Sequence, residues 1–394
     1  MQIQERRDGP INQGMTFLAL AFRPFFLFAG IAAVLLVGLW LLVLMGKLAV
    51  PAYYGPHWHG HEMLFAYAAA VIAGFLLTAT KNWTGIQTLR YWPLGGLALL
   101  WLLARLLPWL DVPGLLIALV DGLFLPLLAL ALAFPLFRSR QPHNIPFVFL
   151  ILAMALGNLL IHLELLGHLQ GGMAMGVALG LGMVLSLLLV MGARVIPFFI
   201  ERGLPGARIR KWIWVERLAV PSILLYVLVQ LIWPVTVLAG VVTAAAALLH
   251  AWRIGGWYQQ GIWRVPLLWV LWLGYALVVL GLAVQALAGF GLIPVLLSLH
   301  LLTVGGIGVL SLGMMARVAI GHTGRPMQAH PVMGWAFALL VLAAMLRGLM
   351  PLFWPEAYLW WLKLSGLAWL LAFAAFVWVY LPMLIRPRVD GQPG

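Results

Sequence analysis

Apolar residues in this chain come in runs about twenty positions long, separated by short breaks that carry proline, glycine or charge. The stretches 25–45 and 115–137 are typical. A helix rising 1.5 Å per residue needs about 20 such residues to cross the hydrocarbon core of a bilayer. The alternative spanning structure, a closed barrel, requires ten-residue strands alternating apolar and polar positions, and no such alternation occurs. The pattern predicts an all-α, polytopic membrane protein with twelve spans, near 22–45, 62–80, 92–108, 113–137, 145–167, 172–199, 214–233, 235–252, 265–289, 292–320, 332–351 and 358–385. Pro51, Pro108, Pro234, Pro294 and Pro351 fall near span ends, where a residue without an N–H is best tolerated. The break at 233–235 is the shortest. The expected organisation is a tail over 1–21, a single transmembrane domain over 22–385 and a second tail over 386–394.

Composition removes the soluble alternatives. Hydrophobic residues make up 64% of the chain and charged residues 8%, against about 25% charged in soluble domains. The net charge of +13 would suggest nucleic acid in a soluble protein, but topology explains it here. Numbering the loops in order puts 19 of the 23 lysines and arginines on one side, Lys47, Arg105, Arg347 and Lys363 being the other four. Cytoplasmic loops carry the excess of Lys and Arg, so both termini are expected in the cytoplasm. The first residues lack the order of a cleavable signal.

The chain has no cysteine. That leaves histidine, methionine and carboxylates as metal ligands and excludes iron–sulfur clusters. Of the ten histidines, six gather toward the outer face under this topology: His57, His59, His61, His162, His168 and His300. At Pro56-His-Trp-His-Gly-His-Glu-Met63, a helix would put His57 and His61 on one face and His59 on another, enough to serve two sites. A loop of interfacial polar residues is the plainer reading. His300, inside the tenth span, is an ionisable group at depth and reads as functional; otherwise it is a neutral imidazole bonded to a neighbouring helix. Histidines from two helices at similar depth can hold a haem iron axially. His59 or His61 paired with His300 suits that role, and His57, His61 and His162 are candidates for a second metal, copper or iron. Glu62, Asp121 and Glu164 are intramembrane acids that could carry protons, orient a ligating imidazole, or pair with Arg105 and Arg347.

Spans two, six and ten end with cations at comparable depth, Lys81, Arg194 and Arg317, hinting at three four-helix units. Arginines reaching for the interface explain them equally well. Gly305-Gly306-Ile307-Gly308 reads as close helix packing.

Several segments together resemble the NnrS family: His59-Gly-His-Glu-Met-Leu-Phe65, Ala73 to Ala79, Asn82-Trp-Thr-Gly85, Arg194-Val-Ile-Pro-Phe-Phe199, and His300-Leu-Leu-Thr-Val-Gly-Gly306 through Arg317 to His322 and Arg325. The resemblance covers essentially the whole chain. It implies a bacterial cytoplasmic-membrane protein that contains haem, of b type, and copper, and that acts in nitric oxide metabolism and nitrosative-stress defence with electrons from an unidentified donor. His59-Gly-x-x-Met63-x-Phe65 is also similar to the second-helix haem motif of the haem–copper oxidase superfamily. Spans six and seven, however, lack the histidines of the oxidase copper site. A twelve-helix transporter of a metal, haem or small solute is the alternative.

Overall fold

A computed structural model describes residues 13–392, so positions 1–12 and 393–394 of the two tails lie outside the described residues. Among the described residues there is no strand. Twelve helices are long and apolar enough to cross a membrane: α1 Phe22–Leu44, α2 Gly55–Thr84, α3 Tyr91–Trp109, α4 Gly114–Arg138, α5 Pro146–Leu165, α6 Gly172–Gly203, α7 Ile213–Ile232, α8 Val237–Gly255, α9 Pro266–Gly289, α10 Val295–His322, α11 Pro331–Phe353 and α12 Pro355–Ile385.

Local chemistry sets the ends. Pro146, Pro266, Pro331 and Pro355 each open a helix, where the missing N–H costs nothing and φ is already helical. Gly85 ends α2 at φ 68°, a left-handed stop that glycine takes without a Cβ clash. The narrow break between α7 and α8 is real. Pro234 and Val235, the latter at φ 55°, interrupt the helix, and the Thr236 hydroxyl then accepts from the Ala239 N–H to start the next one.

Helices α2, α6 and α10 touch one another and, with α9, are the most buried of the twelve, while α1 and α12 pack together. The first three are the same spans whose cationic ends match in the sequence. Small residues permit the close approach. A Cβ on Gly180 of α6 would meet the Phe65 ring of α2 at 2.7 Å, and one on Gly306 of α10 would meet Val278 of α9 at 2.6 Å. The glycine run of α10 is therefore packing surface. Tyr67 of α2 and Ser311 of α10 share a buried hydrogen bond of 2.5 Å. Below it α1, α2, α6 and α10 enclose an apolar cavity lined by Phe26, Ile72, Phe75, Leu188, Met191 and Met314.

Two helices depart from α geometry at matching places. In α2 the stretch Glu62–Ala68 is π-helical, directly after His61, and in α10 the stretch Leu301–Gly308 is π-helical, directly after His300. Such widened turns are rare and concentrate at functional sites.

Two further features lie at the start of the described residues. Gln13–Leu18 forms a short 3-10 helix. Arg23, counted with the loop charges, lies fully buried in α1, where its guanidinium donates to the carbonyls of Leu384 (2.8 Å) and Arg386 (2.7 Å) and ties α1 to the end of α12.

Candidate functional site

The end of the bundle where α1 finishes and α2 begins holds two separate clusters of polar side chains. In the first, four helices each deliver a buried group. His61 comes from the first turns of α2, Arg105 from the end of α3, Asp121 from the second turn of α4, and Asn158 with His162 from α5. Asn158 and His162 stand four residues apart, so an α-helix puts both on one face. His61 is 0% exposed.

Contacts within this cluster are dense. His61 Nδ1 lies 3.1 Å from Glu62 Oε1, while its Nε2 lies 2.9 Å from Asn158 Oδ1 and 3.2 Å from Asp121 Oδ2. His162 Nε2 is 3.0 Å from that same Asp121 oxygen, and its Nδ1 is 2.9 Å from the Tyr53 hydroxyl. Asn158 donates from Nδ2 to Asp121 Oδ2 at 2.8 Å. Arg105 bridges both carboxylates, donating to Glu62 Oε1 at 3.0 Å and to Asp121 Oδ1. Tyr54 covers the group, its ring stacked 4.3 Å from that of His61. Tyr53, in the loop before α2, is partly buried, and burial pushes its phenol up to about 12. It therefore keeps its proton at physiological pH.

The second cluster lies on the other face of the same turn. His59 stacks flat against Trp40 of α1, ring centroids 5.0 Å apart and planes 5° from parallel. His300 of α10 donates from Nδ1 to the Leu296 carbonyl at 2.7 Å. Arg347 of α11 lies within electrostatic range of both imidazoles, as does His59 of His300. Among the described residues, His59 Nδ1 and Arg347 Nη1 are buried without a hydrogen-bond partner.

The other sequence candidates divide plainly. His57 is exposed at the first turn of α2 and stays out of both clusters; of the expected set His57, His61 and His162 the last two come together, with Asp121 beside them. Glu164 accepts from the Met173 N–H at 2.7 Å and caps the start of α6. Arg194 donates to Asn144 Oδ1 (2.6 Å) and the His143 carbonyl (2.9 Å), fastening α6 to the start of α5. Arg317 sits 3.8 Å over the Phe199 ring. His322 lies beside Phe22 and accepts through its carbonyl from Arg388, and Arg325 is partly buried in the following turn. Arg194, Arg317, His322 and Arg325 belong to the opposite end of the bundle, where the first three pack against or fasten neighbouring segments. Sequence reasoning passed over Asn158 and Tyr53. The i, i+4 spacing of Asn158 to His162 was the available signal for the first; Tyr53 offered none.

Fold and clusters define a multi-pass α-helical membrane protein with ionisable side chains buried at one end of its bundle. Residues 16–388 match the NnrS family, described as NnrS protein, and the chain belongs to it. Membership fits a membrane protein of the nitric oxide response. No curated protein matches the sequence.

Proposed function

We propose that this protein binds nitric oxide at a haem held between α2 and α10, near the periplasmic face of the bacterial cytoplasmic membrane, and so protects against nitrosative stress. The observation that carries the reading is the second cluster. Two imidazoles on inner helices are each followed by a π-helical segment, and beside them buried atoms of His59 and Arg347 have no hydrogen-bond partner. Unpaired polar atoms at such depth are costly unless something satisfies them.

The residues fit an anionic tetrapyrrole. The Nδ1 of His300 is occupied by the Leu296 carbonyl, which fixes the tautomer and leaves Nε2 as the ligating atom. His59, its ring plane held by Trp40, would be the second imidazole and the one that nitric oxide displaces from the iron. The unpartnered Nη1 of Arg347 suits a propionate. With no cysteine in the chain, thioether attachment is impossible, so the haem would be held non-covalently, as a b-type haem is. When bound, it supplies iron that coordinates nitric oxide and exchanges single electrons. The apolar cavity between α1, α2, α6 and α10 suits a small uncharged gas, which partitions into lipid and needs no polar channel.

Purified protein should show a Soret band with stoichiometric iron, and the reduced form should shift on adding nitric oxide. His300→Ala should lose or alter the band. A protein without haem after expression in haem-replete cells would sink the reading and return the transporter alternative. Anaerobic consumption of nitric oxide with a supplied reductant would extend the reading from binding to turnover.

A further inference from the structure

The first cluster is a site in its own right. Each imidazole has its Nδ1 engaged, His61 by Glu62 and His162 by Tyr53, and each turns Nε2 toward one oxygen, Asp121 Oδ2. A neutral histidine has one N–H. For His61 that single proton faces acceptors at both ring nitrogens, because Glu62 stands at Nδ1 and Asn158 Oδ1 with Asp121 at Nε2. If Nδ1–H donates to Glu62, the Nε2 lone pair points at two oxygens. That clash of acceptors disappears when a cation sits among them.

The charge balance also leaves room for added positive charge. One guanidinium, Arg105, bridges two buried carboxylates, Glu62 and Asp121. With neutral imidazoles this leaves one uncompensated negative charge among groups at most 9% exposed. An isolated charge so deep in a membrane protein is expensive.

We propose that His61 Nε2, His162 Nε2 and Asp121 Oδ2 form a mononuclear site for a divalent first-row transition ion, separate from the haem. Ligand atoms of these three residues lie within 4.8 Å of one another. Two imidazoles and one carboxylate suit iron, copper or zinc, whereas magnesium and calcium take oxygen donors. The surroundings complete the arrangement. Glu62 on His61 and Tyr53 on His162 are the outer hydrogen-bond partners that ligating histidines require, and Asn158 Nδ2 steadies the ligating carboxylate. Three protein donors leave a coordination position open to a small ligand.

The site does not depend on the haem, and the test keeps the two apart. Full-length protein purified in detergent and stripped with chelator is titrated with Co(II), then separately loaded with Cu(II) for electron paramagnetic resonance. One Co(II) per chain with ligand-field bands of a low-coordinate ion is expected, and Cu(II) should show coupling to two imidazole nitrogens. His162→Ala and Asp121→Asn should weaken Co(II) binding by at least about tenfold, the effect typical of lost metal-site partners. His57→Ala and His300→Ala should leave it unchanged, whatever becomes of the Soret band. Substoichiometric binding, unaltered affinity in both folded variants, or loss in His300→Ala would overturn the proposal. If His162→Ala fails to fold, the copper spectrum of the unmodified protein still decides. Fewer than two coupled imidazoles means that a proton on His61, not a metal, balances the cluster.

Discussion

Arg105 illustrates how much one side chain can hold. Its guanidinium pairs with both Glu62 and Asp121, reaching them from α3. Removing one partner of a buried ion pair typically costs about 3–5 kcal/mol, because the other charge is stranded. Arg105→Met should therefore lower the apparent melting temperature in detergent markedly, and adding Asp121→Asn should recover part of the loss. A double variant no more stable than Arg105→Met alone would show that the stranded carboxylate is not the cause. At this scale the sequence was half legible. Polar residues in apolar spans mark themselves, so His61, His162, Asp121, His59 and His300 stand out. Which of them meet does not, since the first cluster draws on four helices whose neighbours no periodicity reveals. His57 seemed as good a ligand as His61 because both share a helical face. What separates them is depth: one turn nearer the bundle end leaves His57 in the open.

Among the helices, the pairing of α5 with α6 governs the first cluster. A Cβ on Gly176 would lie 2.3 Å from the Gly157 carbonyl oxygen, and one on Gly172 would lie 2.2 Å from that of Leu160. These are backbone atoms, which cannot swing aside as a side-chain tip can. Gly176→Ala should push the two helices apart at a cost of roughly 1–3 kcal/mol, the usual range for overpacking, seen as a lower unfolding midpoint. Because α5 carries Asn158 and His162, the same variant should weaken Co(II) binding, whereas Gly122→Ala, which meets open space on α4, should change neither. The spans themselves were readable throughout, since twenty-residue apolar runs have only one use in a chain this poor in charge. Their π-helical segments were not readable, because a widened turn leaves hydrophobic periodicity almost unaltered when every face is apolar.

For the whole molecule, the charge asymmetry predicts an orientation that labelling can test directly. The chain contains no cysteine, so an introduced thiol is a clean marker. His168 and His143 are both exposed and lie at opposite ends of the bundle. With the termini in the cytoplasm, His168→Cys should react with a membrane-impermeant maleimide in cells whose outer membrane has been opened, and His143→Cys should react only after lysis. The reverse pattern would place both clusters on the cytoplasmic side and remove the periplasmic part of the proposal. Burial of Arg23 and Arg105 takes two charges out of the loop count, one from each side, and the bias toward one side survives that change.

The π-helical stretch Glu62–Ala68 also acts as a phase shift. One residue more than the α-helical register requires changes the angular position of everything before it by about 100° relative to everything after. His59 and His61 both lie before it, so the two clusters share one angular setting. Deleting Ala66 would return the stretch to ordinary α geometry and rotate both imidazoles away from their partners in a single step. Span length would barely change, and the protein should still insert. Such a deletion variant should lose haem and Co(II) binding together, which no single histidine substitution is expected to do.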